Sequence, residues 1–330
     1  MKQKIAIYFK SEKIQSYVDL IRINQWIKVL LAFWQTLSAL WISFFKNDKT
    51  QAYIDLMRLN RPIGILLLLW PTLSALWIAA EGVPDTLVLI IFILGVVLMR
   101  SAGCVINDYA DRHVDGKVER TQNRPLITGR LHGKEALTLF AILCIISFLL
   151  VLGLNTMTMW MSLVGVFLAA TYPLMKRYTY LPQVYLGITF GWAIPMAFSA
   201  QLDTIPTSAW LLFLANIIWA TVYDTFYAMA DRRDDLAAGI KSTALLFGRD
   251  DKIIIGILQA CFVLVMVLVG GQLDMSVSYY LAIAISVSLF IYQQKITKRK
   301  EAAQCMLAFL NNNWVGASLF LGIAIHYAMI

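Results

Sequence analysis

The sequence predicts an all-α, polytopic membrane protein with nine core transmembrane helices and an extra apolar segment at the N-terminus. Three observations carry this. First, 59% of the 330 residues are hydrophobic and only 15% are charged, where a water-soluble domain carries about a quarter charged residues. Second, the apolar residues gather in runs of spanning length, about 20 residues each. Third, lysine and arginine fall at the ends of those runs and in alternate connections, the positive-inside pattern. The same composition excludes a disordered chain, a coiled coil and a secreted disulfide scaffold. The net charge of +8 is spread over those connections rather than forming a nucleic-acid face.

In chain order, the first core run, 63–80, leads to Glu81–Asp85, a short connection without Lys or Arg. The run 85–106 ends in the basic connection Asn107–Lys134, and 135–153 in the uncharged Gly153–Thr156. Then 157–174 meets Lys176–Arg177, 181–200 meets Gln201–Thr207, and 208–226 meets the basic stretch that closes with Arg232–Lys252. The runs 253–271, 276–294 and 314–330 are separated by Gly271–Met275 and by Lys295–Lys300. Nine alternating helices put every basic connection on one face, the cytoplasm, and the C-terminus on the other.

The additional run, 26–45, belongs to a duplication. Tyr17 to Ile42 aligns with Tyr53 to Ile78 at an offset of 36, identical at sixteen of twenty-six positions. Trp26 and Gln35 replace Pro62 and Pro71 of the second copy. If 26–45 spanned the bilayer, Lys2, Lys4, Lys10 and Lys13 would lie outside, against the charge rule. Residues 1–49 are therefore expected to form an appendage that lies along the cytoplasmic interface or re-enters the membrane, and 50–330 to form the transmembrane domain. Cys104, Cys144, Cys261 and Cys305 are far apart with no C-x-x-C pair, and His113, His132 and His326 form no metal-ligand spacing. The cysteines read as reduced packing residues.

Chemistry enters at two acidic motifs, both at cytoplasmic helix ends. In "NDYADRHVDGKVERTQNRPL", Asn107, Asp111 and Asp115 recur at intervals of four, on one face if the preceding helix continues, with Asp108 beside them. In "YDTFYAMADRRDDLAAGIKST", Asp224, Asp231 and Asp235 share a face by the same reasoning, with Tyr227 between the first two. Carboxylates stacked at one-turn spacing repel, and divalent cations are the simplest reason to keep them. Mg²⁺ takes oxygen ligands, commonly one or two carboxylates plus substrate phosphates. Two facing aspartate helices could thus clamp a diphosphate, with Arg112, Arg120, Arg124, Arg177 and Lys241 neutralising the remaining charge. Arg100, in an otherwise apolar helix, shares a face with Cys104, Asn107 and Asp111; it either snorkels or lines a cavity and binds an anionic group. Tyr172, Trp192, Tyr223 and Tyr227 read as packing or interface aromatics, one or two of which could stabilise a cation.

On these motifs, together with "RLNRPIGILLLLWPTLSALWIA" and "NNWVGASLFLGI", the chain resembles the UbiA superfamily of intramembrane aromatic prenyltransferases over about residues 50–330. The longer string around Asp224 and Asp235 is most similar to the branch acting on 4-hydroxybenzoate in ubiquinone synthesis. The resemblance implies helices around a central cavity with both motifs at its cytoplasmic mouth, in the bacterial inner membrane. It implies Mg²⁺-dependent transfer of a polyprenyl chain from its diphosphate to the ring carbon ortho to the phenol of 4-hydroxybenzoate, with the lipid bilayer as a further partner and no nucleic acid. Asn107, Asp111 and Asp115 match the family's first metal motif, Asp231 and Asp235 its second. Arg112 and Arg177 match basic residues that hold the aromatic carboxylate or the diphosphate. Asp231 is the candidate to hydrogen-bond the phenol. The duplicated N-terminal segment has no counterpart in the family pattern.

Three other readings compete. A CDP-alcohol phosphotransferase also uses aspartates at membrane-helix ends, but Asp115-Gly116 is followed here by Lys117-Val118 rather than the Ala-Arg of that signature. A prenyltransferase of the same superfamily with a different acceptor is the second. The third is a cation transporter with the acidic clusters as its ion path, although transporters place such groups near mid-membrane.

Overall fold

The structure, a computed structural model, describes residues 47–112, 116 and 121–330. The chain divides into two compact units, Met1–Ala52 and Tyr53–Ile330. The apolar run 26–45 and the first repeat copy lie outside the described residues.

Every described element is helical. After α1 (Asp48–Met57) come α2 (Ile63–Ala79), α3 (Thr86–Asp111), α4 (Gly133–Val151) and α5 (Thr156–Tyr178). Then follow α6 (Pro182–Gly191), α7 (Ala193–Leu202), α8 (Thr207–Ala230), α9 (Arg232–Ala238) and α10 (Thr243–Phe247). The last three are α11 (Asp251–Gln272), α12 (Val277–Ile296) and α13 (Ala302–Met329). Among the described residues, 7 spans are long and apolar enough to cross a membrane: α3, α4, α5, α8, α10 joined to α11, α12 with its terminal turn, and α13. The shorter α2, 17 residues, is equally apolar.

Two differences from the expected nine spans have clear physical causes. The run 181–200 is not one helix but α6 and α7, meeting at Trp192. Pro195 has no N–H to give the carbonyl of Gly191, so the ladder is interrupted there. And α13 begins at Ala302, a dozen residues before the expected 314. The run Asn311–Asn313 reads as polar, yet each amide has a partner inside the bundle. Gln293 donates to Asn311 (2.9 Å), the Trp219 indole to Asn312 (2.9 Å) and the Trp70 indole to Asn313 (2.9 Å). Further bonds from Gln294 to Gln259 and from Gln259 to Gln293, both 3.0 Å, extend this amide chain across α11, α12 and α13. Satisfied amides of this kind stay in an apolar bundle where unpaired ones could not.

Within the second unit, successive helices pack around a circuit: α2 on α3, α3 on α4 and α5, α5 on α6, α6 on α8, α8 on α11, α11 on α12, α12 on α13, and α13 back on α2. The larger buried apolar cluster among the described residues runs through α2, α3, α7, α8, α11, α12 and α13, around Trp219, Phe262 and Tyr279. Close approach there depends on Gly316. A Cβ at that position would come within 2.8 Å of Trp70 and 2.9 Å of Trp219, the two indoles that donate to the asparagines. Facing outward are Trp160, Leu264, Ile285 and Leu321, all exposed, as a lipid-contacting surface requires. The helix ends away from the basic connections are capped by uncharged or acidic groups: Asp85 accepts from the N–H of Leu87 and Val88, and Asn155 from that of Thr158.

Candidate active site

A cavity of about 800 Å³ opens inside this circuit. Its walls come from α2 to α9 and the start of α13. One end carries the acidic motifs; the other reaches Phe92, Phe148 and Leu154, near the opposite ends of α3 and α4. The body between is apolar, lined by side chains such as Val96, Leu186 and Met196.

The first motif enters on α3. Asn107 and Asp111 both line the cavity, one turn apart, and the helix stops at Asp111. Asp115 and Arg120 lie outside the described residues. Asp111 is nearly buried and forms an ion pair with Lys176, the last-turn lysine of α5. Asp108 points elsewhere. It does not line the cavity; at 2% exposure it pairs with Arg58 (2.8 Å) and Arg124 (3.1 Å). Burial opposes the charge on Arg58, and Asp108 together with Cys104 and Tyr227 more than offsets it, so this guanidinium holds its proton more firmly than an ordinary arginine.

The second motif enters on α8. Asp224, Asp231 and Asp235 all line the cavity, but not from one continuous helix. The chain breaks at Asp231 (φ −90°, ψ 4°), which ends α8 and precedes α9. The break lets Asp231, Asp234 and Asp235 crowd the mouth together. After α9, Gly239 takes the left-handed conformation (φ +67°) and turns the chain so that the Lys241 N–H donates to the Lys176 carbonyl (3.1 Å). Lys241 lines the cavity as well, with its ammonium 5.4 Å from the Tyr180 ring. Thus Lys176 and Lys241 tie the two motifs to one rim.

Deeper lies Arg100, eleven residues and roughly 16 Å along α3 from Asp111 at the usual helical rise. It lines the cavity together with Cys104, Asn107 and Asp111, the face expected for them. One nitrogen of its guanidinium donates to the Cys104 sulfur, its plane sits 5.5 Å from the Phe190 ring, and its Nε is buried without a protein partner. Gly64 makes room for it, since a Cβ there would fall within 2.5 Å of the guanidinium. Tyr172, Tyr223 and Asp224 line the same cavity.

Two expected site arginines stand apart from this cavity. Arg112 stacks on the Tyr109 ring at 4.0 Å, donates to the Tyr109 carbonyl and borders a separate shallow pocket beside His132. Arg177 donates to the Ala110 carbonyl (2.7 Å). Both brace the end of α3. Conversely, Arg58, Arg61, Lys176 and Asp234 line the cavity and were not singled out from sequence. Arg58 had a signal: it opens the motif "RLNRPIGI". It also carries a backbone signal visible only in three dimensions, φ +56° at the end of α1, where the N–H groups of Arg58 and Leu59 return to Asp55 and Ile54. Glycine is the usual residue at this helix stop.

Residues 68–319 match the model of the UbiA prenyltransferase family. A Nitrosococcus oceani protein named 4-hydroxybenzoate octaprenyltransferase is 57% identical over 327 residues, covering 99% of each chain. One of the same name from Citrobacter koseri is 57% identical over 315 residues, 96% of each. Among solved structures, a UbiA homologue from Aeropyrum pernix has a TM-score of 0.71 at 25% identity, covering 81% of this chain and 98% of its own. A homologue from Archaeoglobus fulgidus, solved with GPP and Mg²⁺, shares the fold at a TM-score of 0.67 and 17% identity, over 84% of this chain and 100% of its own.

Proposed function

The chain belongs to the UbiA prenyltransferase family, and from that premise we propose that it transfers a polyprenyl chain from polyprenyl diphosphate to 4-hydroxybenzoate, at the ring carbon ortho to the hydroxyl, in ubiquinone biosynthesis. The observation that carries this reading is the cavity: carboxylates from two helices at one end, an apolar body behind them. A diphosphate with a long hydrocarbon tail has the same division. Relatives that match nearly the whole chain bear the corresponding name.

The residues at the mouth suit Mg²⁺. Asn107, Asp111, Asp224, Asp231 and Asp235 offer only oxygen donors, the set a hard cation takes. Among the described residues no three His, Cys, Asp or Glu side chains form a ready-made metal cage. One or two carboxylates from each motif would hold the ion, with substrate phosphates completing its shell. When bound, Mg²⁺ neutralises the leaving diphosphate. Asp115 is kept as a ligand on its motif spacing. Asp108 is reassigned to holding Arg58 and Arg124 in place.

Lys176, Lys241, Arg58 and Arg124 surround the diphosphate with positive charge, which favours departure of the leaving group. Arg100 binds the acceptor carboxylate through its unpartnered Nε, replacing Arg112, which faces away from the cavity. Asp231, at the helix break, accepts a hydrogen bond from the phenol and raises the electron density of the ring. Tyr223 and Tyr227 present ring faces to the allylic cation, and the apolar walls exclude water that would otherwise capture it. The positive-inside rule applied to the basic connections supports a mouth at the cytoplasmic face of a bacterial inner membrane.

Protein reconstituted in lipid, with labelled polyprenyl diphosphate, Mg²⁺ and 4-hydroxybenzoate, should yield the ortho-prenylated acid, and EDTA should abolish it. Product only with a different aromatic acceptor would overturn the assignment. Residues 1–49 are proposed to be an appendage outside this chemistry, since every site residue lies at or beyond Arg58. Deleting residues 1–45 should leave kcat within about twofold, the range of changes remote from a site. Complete loss of activity in correctly inserted protein would assign that segment to the enzyme itself.

A further inference from the structure

The seven-residue α9, which follows Asp231 and carries Asp234 and Asp235, has no buried residue. A helix this short does not stand by itself, and apolar packing does not hold it. Its anchors are polar. Past its C-terminal end, Lys241 bonds to α5 as described. At its N-terminal end, Arg232 directly follows the break, yet does not line the cavity. It turns outward to Asp251, the first residue of α11, with which it forms an ion pair, and it donates to the Gly248 carbonyl (3.3 Å).

Asp251 is wholly buried. Beyond Arg232, its carboxylate takes a bond from Lys300 (2.7 Å) and one from the Lys252 N–H (2.6 Å). Lys300 also donates to the Arg249 carbonyl (2.9 Å) while its own backbone is left-handed, φ +55°. Burying this carboxylate is costly unless its partners are well placed. None of Asp251, Arg232 and Lys300 lines the cavity.

We propose that Asp251 is a positioning residue for the second carboxylate motif: through Arg232 it fixes the break at Asp231 and thereby aims Asp231 and Asp235 into the cavity. The proposal rests on the reading of those two aspartates as metal ligands. It treats Asp251 as an outer support of a metal site carried by a short helix that apolar packing does not hold.

The test is a Mg²⁺ titration of full-length protein in lipid nanodiscs, read both as heat of Mg²⁺ binding in the presence of inorganic diphosphate and as turnover at saturating substrates. Asp251→Asn keeps the volume but removes the charge. It should raise the half-saturating Mg²⁺ concentration about tenfold and lower kcat similarly, with the KM for 4-hydroxybenzoate changed by less than about twofold. Arg232→Lys, which retains an ion pair, should recover most of the native Mg²⁺ response. Lys300→Gly, which leaves the Arg232 pair intact and relieves the backbone, should leave that response close to native. If Asp251→Asn does not insert, Arg232→Gln takes its place with the same expectation. A native Mg²⁺ half-saturation in the inserted variant, with activity lost only in proportion to folded protein, would reduce the pair to a structural tie and overturn the proposal. Asp235→Ala separates the two levels. An unaltered metal response there defeats the ligand reading itself, whereas loss there with a normal Asp251→Asn defeats only the positioning role.

Discussion

Replacing Asp111 or Asp235 with alanine is expected to remove turnover almost completely, by about a thousandfold or more, the scale seen when a charge-stabilising group is deleted from a reacting centre. The two residues sit on different helices but face one cavity mouth. If they share one diphosphate clamp, either loss disables it, and the double variant should be little worse than each single one. Asp111→Ala also strands its half-buried partner Lys176, so membrane insertion and thermal stability must be followed alongside. Asp111→Asn provides the control that keeps volume and hydrogen bonding. Product formation across a Mg²⁺ series is the measurement. Near-native turnover in Asp235→Ala would show that the second motif holds no essential ion.

The second large effect concerns the acceptor. Arg100→Ala should raise the KM for 4-hydroxybenzoate by about tenfold to a hundredfold, corresponding to the loss of a charge-assisted bond in a dry site. The KM for the prenyl diphosphate should move by less than about twofold, because that anion is held at the mouth by other cations. Arg112→Ala serves as the contrast. Its guanidinium lies over the Tyr109 ring outside the cavity, so acceptor KM should stay near native. A large acceptor effect at Arg112 with none at Arg100 would reverse the assignment.

The helices were legible because their pattern is local: an apolar run of spanning length forms a helix whatever it packs against. The gathering of Asn107, Asp111, Asp224, Asp231 and Asp235 at one cavity was legible for a related reason, since polar and charged groups near helix ends in a membrane protein demand a partner. What escaped was everything decided between distant segments. Nothing near Arg112 in sequence indicates that its side chain folds back onto Tyr109, and nothing near Lys176 indicates that it meets Asp111 on another helix. Asp108 resembles its neighbours in composition, but a rotation of about 100° per residue points it away from the face of Asn107 and Asp111. The break at Asp231 is hidden because the motif keeps helical spacing across it. Likewise the asparagines of α13 look like a boundary until the indoles of Trp70 and Trp219 are found opposite them.

The polar mouth and the apolar body of the cavity draw on two different phases. A hydroxybenzoate arrives from water, where its supply is a number of molecules per volume. A polyprenyl diphosphate arrives with its tail in the bilayer, where the relevant supply is a number of molecules per unit of membrane. Donor and acceptor therefore obey different concentration scales at one active site. Adding inert lipid at fixed donor and fixed enzyme thins the donor in the plane while leaving its bulk molarity unchanged, and saturation by the donor shifts accordingly; saturation by the acceptor does not. In the cell the same geometry links the rate of the reaction to membrane area and composition, so that expansion of the bilayer without new donor synthesis slows it even when both substrates remain as abundant per cell as before.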